Sequence, residues 1–177
     1  MKPIKILAIS GSLRPNSSNS AIINKITEMV AAGVVIDSYN GLSAFSHFNP
    51  DLDNDTPPTE VIDWRNQLKN ANAVLICTPE YAFGVPGSLK NALDWTVSSG
   101  EFVDKPVALI TASSVGTNAH SSLLLTLGAI SAKVADDAAL LIPFVRTKVN
   151  SDGSITDTEV LVSLKKVLDA LVNSIHQ

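Results

Sequence analysis

The run Ile4-Lys-Ile-Leu-Ala-Ile9 passes directly into Ser10-Gly-Ser-Leu-Arg-Pro-Asn-Ser-Ser-Asn-Ser20, and then into an apolar stripe at Ile22, Ile23, Ile26, Met29 and Val30. An apolar run broken only by Lys5 suits a strand covered on both faces, and the stripe has the spacing of one helix face. Strand, polar loop and helix form the opening half of a βαβ unit, and the pattern recurs along the chain. Gly33 reads as the C′ glycine of the first helix, and Val34–Ile36 as a second strand. After a polar, proline-bearing stretch from Asn40 to Pro58, Val61, Trp64 and Leu68 mark a second helix, and Ala73–Thr78 a third strand. A third helix opens at Pro86 and presents Leu89, Ala92, Leu93 and Val97 on one side. Val107–Ala112 is the fourth strand, Leu123–Ile130 the fourth helix, and the fifth strand falls within Ala138–Val145. Val160, Leu161, Leu164, Val167, Leu168, Leu171, Val172 and Ile175 define the last helix.

Five strands alternating with five helices predict an α/β fold: a doubly wound parallel sheet with helices on both faces and right-handed crossovers. The common order for five strands is 2-1-3-4-5, with the ligand at the carboxyl ends near the strand 1/strand 3 switch point. Strands of this kind also account for the 45% apolar composition. The length of 177 residues suits one domain spanning 1–177. With 13 Lys+Arg against 17 Asp+Glu and a net charge of −4, the chain lacks the dense basic face of a nucleic-acid or anionic-membrane binder. It is too apolar for a disordered chain. Its longest apolar run, Ala138–Val145, is far short of the ~20 residues of a membrane span, and Ile6–Ile9 is too short for a signal-peptide core. A single cysteine, Cys77, fits a reducing, cytoplasmic setting and reads as a core residue.

Three loops at the predicted carboxyl rim differ from the rest of the chain: Ser10–Ser20, Thr78–Gly87 and Thr111–Asn118. In the order 2-1-3-4-5, strands 1, 3 and 4 are neighbours, so these loops converge. The first carries five serines, Asn16, Asn19 and Arg14 at the start of a helix, where free N–H groups and the dipole favour an anion. Capping by Ser17, Ser18 or Asn19 is the simpler use of such residues, but one cap suffices and Arg14 is surplus to it. The loop has neither the Gly-Lys-Ser/Thr of a P-loop nor a G-x-G-x-x-G, so a mononucleotide is favoured over a dinucleotide at this position. The second loop places Glu80, Tyr81 and Phe83 before Gly84-Val-Pro-Gly87. Gly84 and Gly87 are free to take positive φ there, and the turn can wall a planar ring. The alternatives are that Tyr81 and Phe83 plug the core and that Glu80 caps the third helix.

Ser10-Gly-Ser-Leu-Arg-Pro-Asn-Ser-Ser-Asn19 resembles the phosphate loop of the NADPH-dependent FMN reductase family, a flavodoxin-like group that includes quinone, azo-dye and chromate reductases. Thr78-Pro-Glu-Tyr-Ala-Phe-Gly-Val-Pro-Gly-Ser-Leu-Lys-Asn-Ala-Leu-Asp-Trp95 is similar to its second motif. The resemblance implies a flavodoxin-like fold with bound FMN and NADPH or NADH as co-substrate. It implies that Ser12, Arg14, Asn16, Ser17, Ser18 and Asn19 surround the phosphate, that Pro79, Glu80, Tyr81, Ala82 and Phe83 run beside the isoalloxazine ring, and that Ser113, Ser114 and Gly116 flank it. Ala82 stands where the family usually has asparagine, and Thr117-Asn118-Ala119-His120 replaces a glycine-rich run leading to an arginine.

The expected activity is an NAD(P)H-dependent reductase that alternates hydride transfer between NAD(P)H and a small-molecule electron acceptor through FMN, with no catalytic side chain and no metal. The alternative is a flavodoxin-type electron carrier or a flavin-binding sensor. The resemblance implies a homodimer or homotetramer, with the third helix and Trp95 as an interface element. His120 can face the flavin's pyrimidine end or lie on the helix surface, while His47 and His176 read as loop and tail residues. Asp51, Asp53 and Asp55 lack the glycine and terminal glutamate of a calcium loop. Few aromatics stand near the rim, chiefly Tyr81 and Phe83 with Phe45 and Phe48 as covers, which leaves one flavin face open.

Overall fold

A computed structural model describes residues 3–175; His176 lies outside them. The elements are β1 (Ile4–Ser10), α1 (Ser18–Glu28), β2 (Val34–Tyr39), α2 (Thr59–Asn70), β3 (Ala73–Thr78), α3 (Gly87–Asp94), β4 (Pro106–Ala112), α4 (Thr117–Ala129), β5 (Lys133–Ile142) and α5 (Thr158–Ser174). All strand pairings are parallel, in the order β2-β1-β3-β4-β5. This is the flavodoxin-like arrangement expected from the alternation of elements.

The central strands are apolar along most of their length because each contributes to two cores. Ile6, Ala8, Leu75, Cys77, Ala108 and Ile110 point toward α1 and α5, meeting Ile22, Ile26, Leu164, Leu168 and Leu171. Leu7, Ile9, Val74, Ile76, Val107 and Leu109 point the other way, toward Trp64 and Leu68 of α2, Leu89 and Leu93 of α3, and Leu123 and Leu127 of α4. Burying one such Leu or Ile side chain contributes roughly 1.5–3 kcal/mol, so the two layers dominate the stability. Trp64 belongs to the second of these cores, and Trp95 is buried beside it against Phe48. Trp64 donates to the Ala92 carbonyl at 3.0 Å and Trp95 to the Ser46 carbonyl at 3.1 Å, each fully buried. Trp95 is therefore closed off inside its own chain and is no interface side chain.

Element boundaries depart from the sequence reading where polar residues disguise them. β5 begins five residues earlier than Ala138; as an edge strand it exposes Asp136 and Asp137, which break the apolar pattern and fall in a stretch without β4 partners before pairing resumes at Ala139. Its register against β4 shifts between Val107 and Leu109. β2, the other edge, runs on through Asp37 to Tyr39. α4 opens at Thr117, six residues before Leu123. α3 begins at Gly87, with Pro86 as its N-cap, and ends before Val97, which is exposed. Gly33 is not the C′ residue of α1, whose C-cap is Met29; it takes φ +89° at the entry to β2 and accepts from the Ile4 N–H.

Candidate active site

The loops after β1, β3, β4 and β5 meet on one rim and are stitched together by backbone bonds. Gly11 N–H donates to Cys77 C=O at 2.8 Å, Ser113 N–H to Ile142 C=O at 3.2 Å, and Val145 N–H to Ser113 C=O at 3.0 Å. They enclose a cavity of about 1280 Å³. Ser12, Arg14, Asn16, Ser17, Ser18 and Asn19 line one part, and Pro79, Glu80, Tyr81, Ser113 and Ser114 another. Ala82, Phe83 and Gly116 do not line it, although all three sit in the loops that do.

The phosphate-type loop is built by local hydroxyl bonds. Ser10 Oγ donates to Ser12 C=O, and Ser12 Oγ accepts from the Arg14 N–H at 3.3 Å. Ser17 is the N-cap of α1, its Oγ accepting from Ser20 N–H at 3.0 Å. Capping and anion binding coexist here, because the cap takes Ser20 N–H while the N–H groups of Ser18 and Asn19 have no intrahelical partner, and both residues line the cavity at the positive end of the dipole. Asn19 is buried and doubly engaged. Its Nδ2 donates to Ala112 C=O at 3.4 Å, and its Oδ1 accepts from Cys77 Sγ at 3.3 Å, tying α1 to the ends of β4 and β3. Burial pushes the Cys77 thiol pKa up, so it stays protonated and packs as a core residue.

Glu80 holds the rim rather than α3. Its carboxylate accepts from Gly116 N–H at 3.3 Å and Ala119 N–H at 2.8 Å, capping α4, while its own N–H donates to Ser113 Oγ at 3.2 Å. Beyond it, Tyr81 and Gly84 exchange backbone bonds of 3.0 and 2.9 Å around Ala82 and Phe83. Both central residues have positive φ, +48° and +59°, the requirement of a type I′ turn. The glycines next to the turn are therefore not the ones that bend it. Phe83 is 76% and Tyr81 52% exposed, which excludes a core-plug role. Left-handed backbone strains a residue with a Cβ, whereas asparagine is at home there. Ala82→Asn is expected to raise unfolding stability by up to about 1–2 kcal/mol, the cost of left-handed backbone that asparagine partly relieves, read as an increase in thermal midpoint; an unchanged or lower midpoint would contradict the strained turn.

Phe45 and Phe48 do not cover the cavity. Phe45 packs edge-on against Trp64 with ring centroids 6.1 Å apart, and Phe48 against Trp95 at 5.1 Å. His120 lies in the first turn of α4, half-buried, its Nδ1 2.9 Å from Thr111 Oγ1, and does not line the cavity. Burial holds its pKa below the usual histidine value, so the ring is neutral at neutral pH. His47 lies in the loop between β2 and α2, as read.

Sequence reasoning missed one wall of the cavity. Residues between β5 and α5, including Arg146, Asn150, Ser151, Asp152 and Ser154, face the first loop across it. The rule that singled out the loops after β1, β3 and β4 applies equally to this one, since β5 ends on the same rim.

Comparison with known proteins decides the family. NADPH-dependent FMN reductase is the family description that matches residues 4–147. The chain belongs to that family. It is 32% identical over 173 residues to an NAD(P)H-dependent FMN reductase from Pseudomonas aeruginosa, covering 95% of this chain and 93% of that one. It is 31% identical to an NAD(P)H:quinone oxidoreductase from Solanum tuberosum, covering 95% of this chain and 91% of the relative. Among solved structures, a flavoenzyme NAD(P)H:(acceptor) oxidoreductase from Paracoccus denitrificans superposes with a TM-score of 0.85 at 26% identity, covering 98% and 97% of the two chains. As an FMN reductase, this protein is an NAD(P)H-dependent flavoprotein oxidoreductase. No helix among its described residues is long and apolar enough to cross a membrane.

The residues present fit FMN. The first loop offers a guanidinium, hydroxyls and helix-terminal N–H groups, a donor set for a phosphate dianion. Gly11 lets this loop lie close against β3: a Cβ there would stand 2.2 Å from Thr78 Oγ1.

Proposed function

We propose that FMN lies non-covalently along the rim above the β1/β3 switch point, and that the protein reduces quinone-type acceptors with electrons from NAD(P)H. In this reading the phosphate sits in the loop Ser12–Asn19, and the ring runs along Pro79, Glu80 and Tyr81 with Ser113 and Ser114 on its flank; Ala82, Phe83 and Gly116 shape these loops from outside the cavity. The observation that carries it is one cavity with two chemically different ends: a cation-and-hydroxyl cradle at the α1 N-terminus, and a backbone-rich wall with Tyr81 at the other. When bound, FMN supplies the redox chemistry, accepting hydride from NAD(P)H and delivering electrons to a second substrate.

The chain's own part is binding and positioning. Arg14 and the first turn of α1 hold the phosphate end, with Ser12 and Ser17 fixing the loop's shape. Glu80 fixes the ring wall by tying the loop after β3 to α4; both its oxygens accept backbone N–H groups, so it is not assigned a proton-transfer role. His120 is neutral and bonded to Thr111 away from the cavity, so it has none either. Phe45 and Phe48 are engaged with Trp64 and Trp95, so neither would cover a bound flavin, which leaves room for NAD(P)H and acceptor to bind in turn. The quinone class is supported by the name of the potato relative.

The reading takes residues 1–177 as one FMN-binding domain in the cytoplasm, assembled as a homodimer or homotetramer. The chain's lone cysteine, Cys77, is buried and needs no disulfide partner, which fits a reducing compartment. The exposed apolar side chains Leu13, Tyr81, Phe83, Val115 and Phe144 on the rim loops support self-association. The test is steady-state NADPH oxidation by FMN-loaded protein, with and without a benzoquinone. Catalytic turnover dependent on the quinone supports a reductase; reduction of the flavin without turnover would leave an electron carrier instead.

A further inference from the structure

The cavity is larger than the ~300–1,000 Å³ of most small-ligand sites. Past the phosphate loop it continues along the side of α1 at Asn24 and Lys25, and across to the wall formed by the β5–α5 segment. Its charged groups separate into two sets. Each lining carboxylate has an internal partner: Glu28 pairs with Lys25 at 2.6 Å, Glu80 caps α4, and Asp152 accepts from Ser154 N–H at 2.9 Å and Ser154 Oγ at 2.7 Å. The two guanidiniums do not. Among the described residues, neither Arg14 nor Arg146 forms an ion pair.

One cation of this kind is accounted for by the flavin phosphate. The second stands on a wall fixed in place, because Phe144 N–H and Val145 N–H donate to the carbonyls of Ser114 and Ser113 at 3.1 and 3.0 Å. This anchors Arg146 beside the loop that flanks the ring, with the Ser151 hydroxyl lining the same side. We infer that Arg146 binds a phosphate group of the nicotinamide co-substrate, so that the β5–α5 segment is the dinucleotide-reading wall of the cavity. A guanidinium matches phosphate by paired N–H donors, and contacts to the non-reacting end of a co-substrate fix where its reacting end lies. The inference rests on the flavin-reductase reading, since only that reading brings a second phosphate-bearing ligand into the cavity.

The test is calorimetric binding of NADP⁺ and of NAD⁺, which do not turn over, to FMN-loaded protein, with FMN affinity measured separately by fluorescence quenching. Arg146→Ala is expected to weaken NADP⁺ binding by about 10- to 150-fold, with FMN affinity unchanged and with Arg146→Lys recovering part of the loss. A loss confined to NADP⁺ assigns the 2′-phosphate, and an equal loss for NAD⁺ assigns the pyrophosphate; either upholds the inference. Unchanged binding of both nucleotides overturns it, as does a fall in FMN affinity with nucleotide binding intact. Failure of the underlying reading is distinguishable, because the unsubstituted protein would then not retain FMN at all.

Discussion

Arg14→Ala is expected to weaken FMN binding by about 10- to 150-fold, because one charge-assisted bond to phosphate contributes roughly 1.5–3 kcal/mol. The guanidinium is exposed and forms no ion pair among the described residues, so removing it disturbs nothing else in the fold. Thermal stability without FMN should accordingly stay the same, which separates lost binding from lost folding. The loop keeps its shape through Ser12 and the helix keeps its Ser17 cap, so residual affinity comes from the hydroxyls and the free N–H groups of α1. Arg14→Lys should fall between, retaining the charge but not the fork of donors. Added salt should narrow the difference between wild type and Arg14→Ala, as an exposed charge is screened. Unchanged FMN affinity in Arg14→Ala would remove the phosphate assignment.

Gly11→Ala should be destabilising by about 1–3 kcal/mol, the usual range for a methyl group forced into packed space, and should weaken FMN binding as well. The new Cβ would stand 2.2 Å from Thr78 Oγ1, 2.8 Å from Thr78 Cβ and 3.2 Å from Leu89 Cδ2. Neither side can give easily. The Gly11 N–H is bonded to Cys77 C=O at 2.8 Å, and Thr78 is fully buried. The loop that must shift carries Ser12 and Arg14, so the packing defect is transmitted to the phosphate site. Thr78→Gly in the same chain removes the obstructing side chain and should recover part of the FMN affinity, a coupling expected only for residues in contact. Urea unfolding and an FMN titration on the single and double variants check this. Wild-type values for Gly11→Ala would mean that the loop does not lie against β3.

The sheet order was legible in the sequence because its determinants are repeated and local: apolar runs of strand length, stripes of helical period, and loops of consistent chemistry on one rim. What escaped notice is non-local. The start of α4 carries no cap of its own in sequence, since Gly116 has no side chain and the capping carboxylate comes from Glu80. The same contact explains why Glu80 could not be placed from its neighbours: its partners lie 36 and 39 residues away. The turn after it is hidden in sequence because glycine is the usual carrier of positive φ, yet Ala82 and Phe83 carry it here and are held by the Tyr81–Gly84 pairing. Phe45 and Phe48 were placed by chemistry alone, and only the fold directs them to Trp64 and Trp95. Arg146 belongs to no motif, although its loop leaves the same carboxyl rim of the sheet as the others.

This rim is expected to hold FMN in a form that NAD(P)H can reduce. An anaerobic titration of the FMN-loaded protein with NADPH, followed at the flavin's visible absorbance band, tests it most directly. Flavin should stay with the protein through gel filtration, and its band should bleach on addition of NADPH and return when a quinone is admitted. Flavin lost on the column, or a band that neither NADPH nor NADH alters, would contradict it.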